Sequence, residues 1–264
     1  MRKFFLISLL AMLAVTGVAY FKYAKKPTPP PHLPTMEARP PFGWQLVAPH
    51  LVRETYLPPN ARNVTITLYR LDHGYFTFRF QNALLPKSVS VWLNRNPNAV
   101  LVANGVYFNE DFSPSGLLIA NDNRLGAKMF DLNRTALLEL APAFHIIDTK
   151  HEHVDLKNML DAGQSYPLLI EGGKAVVEKS NTYVARRTFI GSDRDGNEYV
   201  GIVSPNPVTL HDLANYLAAM DVGWDRVLNL DGGPSSGIAV RSKNGGDTID
   251  SIVAVPNVIV VEER

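Results

Sequence analysis

Cysteine is absent from all 264 residues, which excludes disulfides, thiolate metal sites, a cysteine nucleophile and a lipid-linked N-terminal cysteine. Any chemistry in this chain rests on oxygen and nitrogen groups. An excess of charge of either sign is also lacking. The 26 Lys and Arg stand against 25 Asp and Glu, so there is no broad basic field to hold nucleic acid and no acidic tail. Five of the basic residues (Arg2, Lys3, Lys22, Lys25, Lys26) fall in the first 34 positions, which hold no acid, so residues 35–264 are mildly acidic, with 21 basic side chains against 25 acidic ones. Beyond residue 42 there is no second linker, low-complexity run or internal repeat. A composition that is 46% hydrophobic and 19% charged is too apolar for a disordered chain and fits one large domain or two small ones, of which the missing second linker favours one.

Arg2 and Lys3 precede Phe4–Phe21, eighteen residues without a charge, a length on the border between a signal-peptide core and a spanning helix. Gly17-Val18-Ala19 offers small residues for cleavage, whereas Lys22, Lys25 and Lys26 resist translocation and favour a retained anchor. Both readings stay open, and both place the body outside the cytoplasm, periplasmic or extracytoplasmic. Five prolines within Pro27–Pro34 form a stiff extended spacer. The expected organisation is a signal peptide or membrane anchor at 1–21, a proline-rich linker at 22–41 and a single domain at 42–264.

Within the domain, alternating and β-branched segments predict strands at Val64–Tyr69, Tyr75–Phe80, Val100–Ala103, Leu137–Leu140, Leu168–Ile170, Ala175–Glu178, Thr188–Gly191, Tyr199–Val203, Arg226–Leu230, Ile238–Val240 and Val258–Val261. Thr209 followed by Asp212, with Leu213, Leu217 and Met220 on one face, predicts a capped helix over Leu210–Asp221 with His211 on its first turn; a second helix is expected at Leu156–Ala162. Strands outnumber helices without a βαβ rhythm. The expected class is therefore α+β with a mixed β-sheet core and few helices.

Three segments could carry chemistry. In Leu228-Asn229-Leu230-Asp231-Gly232-Gly233-Pro234-Ser235-Ser236-Gly237 an apolar strand ends in an acid and turns through glycines and serines. Such a turn can cradle a phosphate beside a carboxylate, or it is an ordinary β-turn whose Asp caps its own backbone. Val102-Ala103-Asn104-Gly105-Val106-Tyr107-Phe108 delivers an Asn-Gly turn and two aromatics, suited to stacking on a sugar ring or to a plain hairpin. In Arg186-Arg187-Thr188-Phe189-Ile190-Gly191, alternation puts Arg187, Phe189 and Gly191 on one face, where Arg187 can grip a phosphate or form a surface ion pair.

Together these segments resemble the phosphodiester glycosidases, a family that includes the lysosomal uncovering enzyme and bacterial proteins associated with exopolysaccharides. The family pattern is an Asn-Gly-Gly-Phe-Phe-like turn, a Pro-x-Gly-Leu piece (here Pro114-Ser115-Gly116-Leu117), an Arg-Thr-Ala-Ile-Gly-like strand, a Thr-led helix and an Asn-Leu-Asp-Gly-Gly-x-Ser-Ser ending. All five occur in order between Leu101 and Gly237. Val106 stands where a second glycine is usual, Tyr107 replaces the first Phe, Phe189 replaces Ala and Pro234 replaces a third glycine. These departures bear on pocket shape, and so on the aglycone, more than on fold.

The resemblance implies a hydrolase that cleaves the sugar–phosphate bond of a glycosyl 1-phosphodiester in an envelope glycan or exopolysaccharide, and calls for no cofactor or metal; the balanced charge argues against a nucleic-acid partner. It places Asp231 beside the anomeric carbon, as nucleophile, base or electrostatic stabiliser, and Arg187 on the phosphate. Gly232, Gly233, Ser235 and Ser236 would help hold the phosphate, and Asn104, Gly105 and Tyr107 would meet the sugar. Pro167-Leu168-Leu169-Ile170-Glu171-Gly172-Gly173-Lys174 also looks like a family element, with Glu171 either facing the same cleft as a further catalytic carboxylate or lying on a surface hairpin. A non-catalytic envelope protein that binds an anionic polysaccharide is the alternative. His151 and His153, with Asp148 nearby, are read as loop histidines in preference to a metal pair.

Overall fold

The computed structural model describes residues 43–264, apart from 60, 62, 127, 128, 130, 133, 134, 181 and 243–245. The apolar segment Phe4–Phe21 and the proline-rich stretch lie outside the described residues. Among the described residues no helix is long and apolar enough to cross a membrane.

The strands form three sheets. The largest has the order β1 (Gln45–Ala48), β2 (Leu51–Tyr56), β3 (Ile66–Leu71), β14 (Glu198–Val208), β13 (Ala185–Asp193), β15 (Trp224–Asn229), β11 (Leu168–Glu171), β12 (Lys174–Ala175). A second sheet runs β7 (Asn123–Arg124), β6 (Leu118–Ala120), β10 (Asp161–Ser165), β8 (Ala136–Ala141), β9 (His145–Asp148). The third runs β17 (Asp247–Ile249), β16 (Ile238–Val240), β5 (Ala99–Asn104), β18 (Val255–Glu263), β4 (Phe76–Lys87). The described helices are α1 (Val89–Arg95), α2 (Leu210–Ala218) and one 3-10 turn at Gly233–Ser235.

The chain is thus mostly β, where α+β was expected, and every described strand pair is antiparallel, where a mixed sheet was expected. The reason lies in the connections: parallel neighbours need crossovers of about a dozen residues or more, usually helical, and two short helices supply few.

One core joins all three sheets: Ile190, Val200 and Leu228 from the first, Leu118 and Leu138 from the second, and Phe78, Leu101 and Ile259 from the third. The opposite faces carry the alternate residues. Leu68, Phe189 and Val227 of the first sheet pack under Leu210, Leu213 and Leu217 of α2, and Val102, Val258 and Val260 of the third pack under Val89, Trp92 and Leu93 of α1. Strands covered on both faces read as nearly continuous apolar runs, as in Val258–Val261. Residues 41–264 form one compact unit.

Thr209 caps α2, its hydroxyl accepting from the Asp212 amide at 2.9 Å. The helix ends three residues before the predicted Asp221. The helix predicted at Leu156–Ala162 is absent, because Asp161 and Ala162 open β10, a central strand paired on both sides. There the Asp161 carboxylate accepts from the Phe80 amide at 2.9 Å and the Asn121 amide at 3.1 Å. Tertiary pairing overrides local propensity at this point.

Candidate active site

After Asn229 the chain leaves the first sheet, passes through Leu230, Asp231 and Gly232, makes the single turn Gly233–Ser235, and enters the third sheet at β16. Gly233 adopts φ +62, a left-handed conformation that glycine takes without strain. Asp231 therefore sits where the chain switches sheets. Its amide donates to the Gly105 carbonyl at 3.2 Å, tying the turn after β15 to the turn after β5.

Asn104 completes that tie from below. Its Nδ2 donates to the Asp231 carbonyl at 2.7 Å and its Oδ1 accepts from the Gly237 amide at 3.0 Å, with the residue only 1% exposed. Gly105 packs so tightly that an added Cβ would lie 2.1 Å from Asn257 Oδ1. Both residues were expected to meet the sugar. Their hydrogen-bonding groups are committed instead to the backbone of Asp231, Gly237 and Asn257.

The Asp231 carboxylate accepts from the Gly232 amide at 2.8 Å and from the Ser235 hydroxyl. Burial dominates these two bonds and pushes its pKa up to about 6. No basic side chain among the described residues offsets the effect, and no ion pair links Asp231 to Arg187.

Arg187, on β13, is 5% exposed. Its Nε donates to the Val208 carbonyl at 3.2 Å, its Nη2 donates to the Tyr183 carbonyl at 2.6 Å, and the guanidinium lies over the Tyr183 ring, 5.8 Å from its centroid. Burial lowers its pKa against the opposing influence of Tyr107 and Tyr183, and a guanidinium stays charged throughout. No carboxylate of a described residue pairs with it. Nη1 has no hydrogen-bond partner among the described residues, and it stands 3.8 Å from where a Cβ on Gly232 would lie.

Asp231, Arg187, Tyr107, Gly232 and Gly233 share one cleft of about 360 Å³ with Tyr166, Tyr183 and Pro234. Tyr107 stacks on Tyr166 at 4.6 Å; its hydroxyl donates to the Tyr166 carbonyl at 3.2 Å and accepts from Asn229 Nδ2 at 2.8 Å. Burial and the nearby Tyr166 and Asp231 raise its pKa, so the phenol is neutral. Of the donors expected to hold a phosphate, the Gly232 amide and Ser235 hydroxyl already serve Asp231, and Ser236 is fully buried with its hydroxyl unpartnered. The Gly233 amide remains uncommitted among the described residues.

Glu171 does not face this cleft. It lies 3.7 Å from Arg226 Nη2 and lines a neighbouring cavity, because the antiparallel register of β11 and β15 sets Glu171 opposite Arg226. His151 pairs with Asp148 at 2.5 Å on a loop, His153 is exposed, and no group of three metal-ligating side chains occurs among the described residues. His211 is on the first turn of α2, with Nδ1 2.9 Å from the Val177 carbonyl. Residues not singled out beforehand are Tyr166, Tyr183 and Asn229. Asn229 carried a signal, an amide in an apolar strand next to Asp231, whereas the two tyrosines reach the cleft from loops with no periodicity.

A family model described as phosphodiester glycosidase matches residues 97–262. No curated protein matches the chain in sequence. Among solved structures, the catalytic domain of zebrafish N-acetylglucosamine-1-phosphodiester alpha-N-acetylglucosaminidase, described as auto-inhibited by its pro-peptide, aligns with a TM-score of 0.62 at 14% identity, covering 82% of this chain and 85% of that one. A hypothetical protein from Synechocystis aligns with a TM-score of 0.60 at 14% identity, covering 86% of this chain and 64% of that one. At this identity the likeness is one of fold.

Proposed function

The chain belongs to the phosphodiester glycosidase family, and from that premise we propose that it is a hydrolase acting on a glycosyl 1-phosphodiester of an envelope glycan or exopolysaccharide outside the cytoplasm. In the reaction the bond from the anomeric carbon to the phosphate oxygen breaks, water supplies the new hydroxyl of the sugar, and a phosphomonoester departs. The observation that carries this reading is the pairing of opposites in one cleft. A largely buried carboxylate without a cationic partner and a buried guanidinium without an anionic one, among the described residues, line the same 360 Å³ without contacting each other.

Each group matches one pole of the transition state. The anomeric carbon gains positive charge as the bond breaks, and Asp231 answers it from a desolvated position where its charge is felt strongly. The leaving phosphate is already acidic and needs charge neutralisation more than a proton. Arg187 Nη1 and the Gly233 amide supply that. The Tyr107–Tyr166 stack offers a flat apolar face to the sugar ring, and Asn104 holds the Asp231 backbone in place. The apolar segment Phe4–Phe21 behind two basic residues supports placement outside the cytoplasm.

Hydrolysis of an aryl α-glycosyl phosphodiester in ¹⁸O water tests this. The expected result is label in the sugar and release of an aryl phosphate. Label in the phosphate would make the protein a phosphodiesterase that breaks the P–O bond, and binding without turnover would make it an envelope glycan-binding protein.

A further inference from the structure

A site of about 360 Å³ is near the small end for ligand pockets, enough for a reacting sugar and its phosphate but not for a chain beyond them. A second cavity of about 720 Å³ adjoins it, and Tyr166 and Leu210 line both. Tyr166, stacked on Tyr107 at 4.6 Å, is thus a wall shared by the two cavities. Neither Arg187 nor Tyr183 lines the second cavity. A phosphate held by Arg187 is therefore anchored outside it, whereas a sugar on the Tyr107–Tyr166 pair lies against its wall.

Resting on the glycosidase reading above, we propose that the second cavity is a subsite for further uncharged sugar residues on the glycone side, so that the preferred substrate is an oligosaccharide 1-phosphodiester. The lining chemistry selects this class. Its described residues include the carboxylates of Asp131, Asp148, Glu171 and Glu178 against the cations or donors Lys150 and His151. Among the described residues an anionic polymer or nucleotide would meet more like charge than opposite charge, and a lipid chain would have to desolvate charged groups. Sugar hydroxyls satisfy both kinds of group, donating to carboxylates and accepting from Lys150 and His151. Two of the carboxylates are held in place by neighbours, Asp148 by His151 at 2.5 Å and Glu171 by Arg226 at 3.7 Å.

The test compares 4-nitrophenyl phosphodiesters of α-glucose, α-galactose and α-N-acetylglucosamine 1-phosphates with trisaccharide counterparts carrying the same sugar at the phosphate. Wild type should cleave at least one trisaccharide with kcat/KM about tenfold higher or more, mainly through KM, a gain that one or two new hydrogen bonds supply. Lys150 and Glu178 are exposed, so the double variant Lys150→Ala/Glu178→Ala should fold normally, leave the monosaccharide rate unchanged and remove most of the chain-length advantage. Val176→Trp, which fills the cavity from its rim, should do the same. Equal or lower rates on every trisaccharide, or an advantage that survives both changes, overturns the subsite. Failure to cleave any of the six compounds overturns the glycosidase reading on which it rests.

Discussion

Strand β13 has a cavity at each end, and the two differ in what their acids touch. Near its start, Arg187 faces the small cleft with Asp231. At its far end, about 20 Å away along the strand, Asp193 and Glu198 line a larger cavity of about 640 Å³ with His73, His145 and Arg264. Size and number of titratable groups favour the far cavity. Satisfaction decides otherwise. The Asp193 carboxylate accepts from the Tyr199 hydroxyl at 2.8 Å, from Asn197 Nδ2 at 2.9 Å and from the Asp195 and Asn197 amides at 2.9 Å each, while Glu198 lies 3.4 Å from His73 Nδ1. Asp193 holds its own turn together, and burial raises the Glu198 pKa against the opposing influence of His73 and Arg264. Asp231 receives two hydrogen bonds, no cation, and a raised pKa. A carboxylate whose charge the fold leaves uncompensated is available to compensate something else.

The sharpest way to break this contrast is to neutralise one acid at each end. Asp231→Asn should lower kcat by about a hundredfold or more while KM stays level or falls, since repulsion of the phosphate is relieved. Asp193→Asn should leave kcat/KM within about twofold and instead destabilise the fold by about 1–3 kcal/mol in urea titration, through disrupted buried hydrogen bonds. Comparable losses of kcat in both would erase the distinction.

Arg187→Ala removes a contact made before and during the reaction, so KM should rise as kcat falls, together costing about tenfold to a hundredfold in kcat/KM. Lys at this position should recover only part of that, because its point charge cannot keep the Val208 and Tyr183 bonds and still present a free donor. Full recovery with Lys would show that charge alone matters.

Asn104→Ala leaves the Asp231 carbonyl and the Gly237 amide without their side-chain partners, at a cost of about 1–3 kcal/mol to stability. If Asn104 positions Asp231, the surviving folded protein should lose kcat without a rise in KM. A rise in KM alone would put Asn104 back on the sugar.

The raised pKa of Asp231 makes a two-sided pH prediction. If the ionised form works, kcat/KM should climb with pH on a limb with its midpoint at about 6. For stability the sign is opposite: a carboxyl whose folded pKa exceeds its unfolded value destabilises the fold when ionised. Asp231→Asn should therefore be the more stable protein at pH 7, by about 1–3 kcal/mol, with the difference fading as pH falls through about 6 towards 4. A wild type more stable than the variant at pH 7 would contradict the lack of charge compensation. The smallest effect belongs to Glu171→Gln, which should change kcat/KM on a monosaccharide phosphodiester by less than about twofold, as expected of a half-exposed pair with Arg226 outside the Asp231 cleft.

Much of this architecture is legible in one dimension because side-chain alternation in a strand is a local property. Phe189 and Ile190 point to opposite cores as their spacing requires, and the Thr209 cap depends only on the three residues after it. The order of the family motifs is legible for the same reason: each is a strand end and its turn. What chain order hides is direction at those ends. Asn104 and Glu171 each follow an apolar strand and precede glycine, yet one is buried under the Asp231 carbonyl and the other pairs with Arg226 beside a different cavity. Tyr166 and Tyr183 come from loops whose positions depend on elements far away in the chain.

The sequence by itself determined the chemistry available and the strands that carry it: oxygen and nitrogen groups without cysteine, Asp231 on a glycine turn, Arg187 on an apolar strand, and a Thr-capped helix. Only the tertiary structure decided that two of the motif turns interlock through Asn104 and Gly105, that Glu171 stands apart, that the sheets are antiparallel, and that Asp231 and Arg187 meet one cleft without neutralising each other. The division has a physical cause. Turn geometry and alternation are set by neighbours along the chain, whereas burial, the raised pKa and the uncompensated charge are set by which distant surfaces exclude water from the same few atoms.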